Sequence, residues 1–176
     1  MAILRPSNGA AGAVSARSGT RLLSASVDIQ AAAEAAFELL CAVEKWPVWL
    51  SFLRSAEVLD GAAPLGIASE VLLRSAIPGH DEQLFEIDHL ITNHQLSLVG
   101  AYSIRRRLDF RIERKTTRCR LHARLEYPAY GGKLGALYDA LGSGRKLATQ
   151  LDESLLHFKH LAEYNPTPKD DLLADF

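Results

Sequence analysis

Residues 107–127 read RLDFRIERKTTRCRLHARLEY, and this stretch decides the fold. Leu108, Phe110 and Ile112 alternate with charged residues, and a second alternating run follows a short polar turn. The apolar positions of that second run are Cys119, Leu121, Ala123, Leu125 and Tyr127. A repeat of two places successive side chains on opposite faces of a strand. The stretch therefore predicts an antiparallel hairpin with one apolar and one strongly charged face.

Similar extended segments precede this hairpin and predict more of the same sheet. The residues from Gly61 to Gly66 and the pair Pro78-Gly79 mark turns between them. The predicted strands cover residues 21–29, 56–60, 68–77, 83–91, 95–102, 104–114 and 118–127. After the first strand, an Ala- and Leu-rich segment predicts a helix over 31–45, and Pro47 begins a second short helix. Short turns between consecutive strands indicate antiparallel pairing.

A long amphipathic helix is predicted at the other end of the chain, over residues 133–164. Leucines and Phe158 recur there at steps of three and four, and Gly142 and Gly144 are expected to bend it. An apolar sheet face and an apolar helix stripe each need a partner, so we expect one to cover the other. The predicted fold class is α+β, with a curved antiparallel sheet of about seven strands around a long C-terminal helix and two short helices after strand one.

Composition limits the function classes. The 176 residues fit one domain, of roughly 100 to 200 residues, and 48% are hydrophobic. The formal charge is −1, which gives no global attraction to DNA. Cys41 and Cys119 lie far apart without metal-ligand spacing, so we expect neither a disulfide framework nor a metal site. We also expect no cofactor. We expect a cytoplasmic protein without a transmembrane segment. Residues 1–19 are expected to form a flexible extension, residues 20–164 the ligand-binding domain and residues 165–176 a tail. The sequence leaves open whether the protein forms a homodimer.

Several local phrases resemble the SRPBCC superfamily, whose helix-grip fold is shared by START-like and Bet v 1-like proteins, and specifically its polyketide cyclase/dehydrase branch. They are SASVDI at 24–29, AEAAFELL at 33–40, VEKWPVWLSFLRSAEVLD at 43–60, PLGIASEV at 64–71 and DESLLHFKHLAEY at 152–164. The pair Trp46-Pro47 with Trp49 is the most specific of these. The resemblance covers residues 20–164 and implies a hydrophobic cavity between sheet and long helix.

The resemblance implies that the protein binds or carries a hydrophobic small molecule, such as a lipid, an isoprenoid or quinone, or an aromatic polyketide. An enzyme of the polyketide cyclase or dehydratase type, working in the same cavity, is the alternative. Alternation and helical spacing predict which side chains form the wall. They are Trp49, Leu73, Leu108, Phe110, Ile112, Leu121, Leu125, Tyr127, Leu137, Leu141, Leu151 and Leu155. Catalytic residues are unknown from the sequence.

Two polar features bear on this interpretation. His89 follows Phe85 and Ile87 at alternate positions, so we expect it in the core rather than as a catalytic base. Nine basic residues crowd one region: Arg105, Arg106, Arg107, Arg111, Arg114, Lys115, Arg118, Arg120 and Arg124. We expect most of them to form cross-strand ion pairs on the outer sheet face. The other hypothesis is a macromolecular interaction module that uses this Arg-rich face.

Overall fold

The computed structural model describes residues 13–17, 20–59, 61, 64–76, 82–128 and 143–164. The strands are β1 Ala13–Arg17, β2 Thr20–Ile29, β3 Leu53–Val58, β4 Glu70–Ser75, β5 Glu82–Ile91, β6 Gln95–Gly100, β7 Ser103–Arg114 and β8 Cys119–Pro128. The helices are α1 Ala33–Cys41, α2 Trp46–Trp49 and α3 Ser143–Tyr164, with a 3₁₀ turn at Val43–Lys45 before α2. Among the described residues, no helix is long and apolar enough to cross a membrane.

The eight strands form one antiparallel sheet in the order β1-β2-β8-β7-β6-β5-β4-β3. The predicted α+β class, the curved antiparallel sheet and the helix order are confirmed. The sheet has one strand more than the seven predicted, because Ala13–Arg17, within the segment expected to be a flexible extension, pairs along β2. Short connections between neighbouring strands β3 to β8 explain the antiparallel pairing, whereas β2 pairs with β8 across five intervening strands of sequence.

The two short helices pack against the sheet, α1 against β7 and α2 against β3. Helix α1 buries Ala33, Ala36, Phe37 and Leu40, which recur at helical spacing. In α2, Pro47 occupies the first turn, where its missing N–H costs nothing. The buried residues of both helices belong to the same hydrophobic core as the apolar face of the sheet.

Helix α3 lies along β2. Its buried stripe consists of Leu151, Ser154, Leu155, Phe158 and Ala162. Two polar contacts fix it: the Glu163 carboxylate accepts a 2.7 Å hydrogen bond from the Gln30 backbone N–H, and the Ser154 hydroxyl accepts one of 3.3 Å from the Ser51 N–H. The predicted helix began at residue 133; residues 129–142, including Gly142 and its expected bend, lie outside the described part of the chain.

Candidate functional site

The apolar face of the sheet is concave and continuous from strand to strand. Cross-strand pairing aligns its side chains in rows that run across the strands. One row consists of Leu23, Leu125, Leu108, Leu98 and Ile87. The next row consists of Ala25, Ala123, Phe110, Leu96 and Leu90. Such a surface can attract an apolar molecule without any charged group.

An aromatic cluster joins the short helices, the sheet and α3 above this face. The Trp49 ring packs edge to face against Phe158 of α3, with ring centroids 4.8 Å apart, and against Phe110 of β7 at 5.9 Å. Trp46 packs against both Trp49 and Phe110, at 6.1 and 5.6 Å. Edge-to-face pairs of this kind add about 0.5–1.5 kcal/mol each beyond the area they bury. The cluster therefore holds three separate elements in one arrangement.

Ten of the twelve predicted wall residues fall within the described residues, and all ten are at least partly buried. Trp49, Leu73, Leu108, Phe110, Ile112, Leu121, Leu151 and Leu155 are buried in the core, whereas Leu125 and Tyr127 are half-buried. Leu137 and Leu141 lie outside the described residues. The prediction omitted Leu23, Ile87, Leu96 and Leu98, although each sits at an apolar alternate position that could have signalled it.

Among the described residues, the concave face has half-buried side chains near the end of β8. Leu125 and Tyr127 of β8 are only half-buried, and so is Leu147 near the start of α3. Arg21 of β2 pairs in register with Tyr127. Burial raises the pKa of the Tyr127 phenol above its usual value of 10, although the nearby Arg21 charge opposes this rise. This end, which we call the mouth, thus combines partly accessible apolar surface with a protonated phenol and a guanidinium group.

The position of His89 corrects the expectation that it belongs to the core. The pairing of β5 with β6 slips between Ile87 and His89, so Asp88 and His89 both turn to the outer face. There His89 Nδ1 lies 3.2 Å from Asp88 Oδ2, and its side chain is half exposed. A bulge adds one residue to a strand and reverses the alternation beyond it. His89 is therefore not available to a molecule on the concave face.

Ionic pairs occupy most of the Arg-rich face. The pairs are Arg107 with Asp88, Arg111 with Asp109, Arg114 with Glu34, Lys115 and Arg120 with Asp28, and Arg124 with Glu126. These account for six of the nine clustered basic residues. The expected cross-strand geometry holds for Arg120 with Asp28, which joins the paired strands β8 and β2. Arg111 with Asp109 and Arg124 with Glu126 instead each lie on one strand. Opposite charges this close offset much of each other's field. This supports the expected ion-paired sheet surface.

Neither thiol nor metal chemistry is indicated by the described residues. Burial raises the pKa of the Cys41 thiol to about 11, and burial together with Glu34 and Asp28 also raises that of Cys119. Both are therefore poor nucleophiles at neutral pH. Within the described ranges no three His, Cys, Asp or Glu side chains gather as a metal-binding group.

A separate open depression of about 570 Å³ lies at the turn between β5 and β6. The residues that line it are mostly polar or charged in type: Thr92, Asn93, His94, Arg111, Ile112, Glu113, Arg114 and His122. His94 Nδ1 lies 3.2 Å from the Ile112 carbonyl oxygen, and His122 Nε2 lies 3.4 Å from a Glu113 carboxylate oxygen. Both histidines thus contact groups of the lining itself.

The concave sheet, the long helix across it and the two short helices after β2 define a helix-grip protein of the START-like, SRPBCC type. Residues 29–151 match the family described as "Polyketide cyclase / dehydrase and lipid transport", and the chain belongs to this family. This confirms the resemblance seen in the sequence. No curated protein matches the chain at a significant level.

Solved structures with low sequence identity share the fold. The protein TTHA0849 from Thermus thermophilus has 17% identity and a TM-score of 0.65, covering 80% of this chain and 96% of its own. A START superfamily protein from Mycobacterium smegmatis has 16% identity and a TM-score of 0.54, covering 74% and 94%. The Zhui aromatase/cyclase from a Streptomyces species has 13% identity and a TM-score of 0.56, covering 81% and 96%. At these identities the likeness concerns the fold.

Proposed function

We propose that this protein binds or carries a hydrophobic small molecule between the concave face of the sheet and α3, of the lipid, isoprenoid, quinone or aromatic polyketide type. The observation that carries the proposal is the unbroken apolar concave face that reaches a half-buried mouth at Leu125 and Tyr127. Val27 of β2 and Leu90 of β5 are also half-buried on that face. We assign entry to the mouth because a phenol and a guanidinium group adjoin its partly accessible apolar surface.

The proposed wall is the predicted set, extended by the apolar residues that share its rows. A ligand that buries about 300 Å² of apolar surface there would gain about 7 kcal/mol from the hydrophobic effect. Lost freedom of motion opposes that gain, so we expect affinities in the micromolar range or weaker. Leu137 and Leu141 remain predicted members of the wall.

Uptake of the neutral fluorescent probe N-phenyl-1-naphthylamine tests the proposal. Leu125→Arg places a charge at the mouth, where desolvating it would oppose entry of an apolar molecule. Ile67→Arg is the matched control, since Ile67 is an exposed aliphatic side chain outside the concave strands. We expect the wild type and the Ile67 variant to enhance probe fluorescence alike and the Leu125 variant to lose most of that enhancement. Equal uptake by all three would contradict the proposed entry.

A cyclase or dehydratase role in the same cavity is supported by one feature, the phenol of Tyr127. On the described strands, the concave-face positions hold neither a histidine nor a carboxylate, which leaves Tyr127 as a proton donor at the mouth. The expected reaction is loss of water from an added linear poly-β-ketone, observed by mass spectrometry. Tyr127→Phe should abolish it while probe uptake persists. Unchanged turnover in that variant would exclude this catalytic role for Tyr127.

A further inference from the structure

The two tryptophans of α2 differ in one respect. Both are fully buried, and the Trp46 indole Nε1–H donates a 2.8 Å hydrogen bond to the Leu40 carbonyl oxygen. The Trp49 indole Nε1–H is buried without any hydrogen-bond partner among the described residues. Leaving a buried donor unpaired costs about 1–3 kcal/mol, and such groups are rare enough in native structures to require an explanation.

The unpaired donor belongs to the ring that bridges the concave face and α3. Trp49 contacts Phe110 on the sheet side and Phe158 on the helix side. It therefore lies inside the apolar region that the proposed function assigns to the ligand. Alternation along the strands predicts such apolar contacts, but it cannot reveal that one indole N–H has nothing to donate to.

The surroundings of this donor select the chemistry of its acceptor. A carboxylate or phosphate beside Trp49 would bury a charge among aromatic rings, which is strongly unfavourable without a cationic partner. A neutral oxygen, as in a ketone, quinone or ether, can accept the hydrogen bond and still leave its carbon skeleton in apolar contact. A pure hydrocarbon would leave the donor unpaired.

We infer that Trp49 Nε1–H is the polar anchor of the cavity and that the ligand is an apolar molecule carrying a neutral acceptor oxygen, most simply a carbonyl. This inference rests on the proposed function and deepens it. A neutral hydrogen bond of this kind favours the oxygenated ligand by about 3- to 10-fold in affinity. The discrimination comes from the donor, because the apolar wall itself binds both kinds of molecule.

Fluorenone and fluorene are the probes that test the inference, since the two tricyclic molecules differ mainly in a carbonyl group. In a ¹H–¹⁵N spectrum we expect one indole cross-peak for each of the two tryptophans. We expect fluorenone to move the Trp49 peak downfield, with fluorene as the control for ring-current effects. The Trp46 peak is the internal control because its N–H is already bonded to Leu40.

The Trp49→Phe variant completes the experiment. The ratio of fluorene to fluorenone dissociation constants should fall by about 3- to 10-fold in this variant relative to the wild type. Two results would overturn the inference. In the first, both probes bind but the variant and the wild type have the same ratio of dissociation constants. In the second, fluorenone and fluorene shift the Trp49 peak equally. If neither probe binds, the proposed function itself fails for aromatic ligands and the inference falls with it.

Discussion

The guanidinium group of Arg120 holds the Asp28 carboxylate through two hydrogen bonds, 2.8 Å from Nε to Oδ1 and 2.6 Å from Nη2 to Oδ2. Lys115 lies 3.5 Å from the same carboxylate. The contact joins β8, and the turn before it, to the end of β2. It thus ties the hairpin that decides the fold to the strand along which α3 packs.

This ion pair predicts an acid-dependent part of the stability. The hydrogen bond from Arg120 lowers the pKa of Asp28 from 3.8 to about 2. Because the folded pKa is depressed, the stabilisation is present above the unfolded value of 3.8 and is lost as pH falls through about 2. Both side chains are partly exposed, so we expect a contribution of about 1 kcal/mol or less.

Urea unfolding of the wild type and Asp28→Asn across pH checks this prediction. The difference in free energy of unfolding should stay constant above about pH 5 and shrink between about pH 4 and pH 2. On an Arg120→Gln background most of that pH dependence should disappear. Parallel curves for wild type and Asp28→Asn down to pH 2 would refute the assignment.

Trp46 and Trp49 form a matched pair of positions for measuring how much one buried hydrogen bond contributes to the free energy of unfolding. The Trp46 indole N–H donates a hydrogen bond to the Leu40 carbonyl oxygen. Leu40 lies in the last turn of α1, where carbonyl groups have no hydrogen-bond partner within the helix. Replacing either tryptophan with phenylalanine removes the same volume, but only Trp46→Phe removes a hydrogen bond. We expect Trp46→Phe to cost about 1–2 kcal/mol more than Trp49→Phe in thermal or urea unfolding. Equal costs would mean that the Trp46 hydrogen bond contributes nothing net.

Arg107, Asp88 and Ser97 form a partly buried ionic network on the outer face. Arg107 lies 2.7 Å from Asp88 and donates to the Ser97 hydroxyl at 3.1 Å. Burial raises the pKa of Asp88, but the Ser97 hydroxyl, Arg107 and His89 together lower it below its usual value. Removing the Arg107 guanidinium group would take an ion-pair partner from Asp88 and a hydrogen-bond donor from the Ser97 hydroxyl.

Arg107→Met should therefore destabilise the protein by about 1–3 kcal/mol. Arg124→Met is the control on the same face, since Arg124 and Glu126 form a more exposed pair whose loss should cost about 0–1 kcal/mol. Chemical unfolding of both variants gives the comparison. Should the Arg124 variant be the less stable, the ranking of these two sites by burial would be wrong.

Adjacent leucines of α3 test how the helix lies on the sheet. Leu155 is 1% exposed and Leu156 is 51% exposed. Leu155→Ala should cost about 2–4 kcal/mol through lost burial and an unfilled cavity. Leu156→Ala should change the free energy of unfolding by about 0.5 kcal/mol or less. Similar losses at both positions would mean that α3 presents a different face to the sheet.

Much of the fold could be predicted because its main elements have one-sided polarity. Leu108, Phe110 and Ile112 alternate with charged residues, and the leucines before Tyr164 recur at helical spacing. These patterns predict an apolar face on the sheet and an apolar stripe on α3. The strand Ala13–Arg17 was missed because a segment rich in Ala, Ser and Gly has little strand propensity of its own and is ordered by pairing with β2.

Local departures from a regular pattern were harder to predict. Phe85, Ile87 and His89 fit a repeat of two, but the half-buried Leu90 shows that the alternation shifts by one residue after Ile87. The spacing of the apolar residues at 85, 87 and 90, with a step of three after a step of two, could have indicated this irregularity in the strand. The wall and the ordinary core use the same side chains, so apolar patterns alone do not separate residues that touch a ligand from those that only pack.

The central claim is that the concave face binds an apolar molecule, and native mass spectrometry of the purified protein, followed by organic extraction, tests it most directly. The account predicts a near-stoichiometric apolar molecule, carrying a neutral oxygen, that is retained by Ile67→Arg and lost from Leu125→Arg. A wild-type protein that carries no such molecule, and that also fails to take up added fluorenone, would contradict the account.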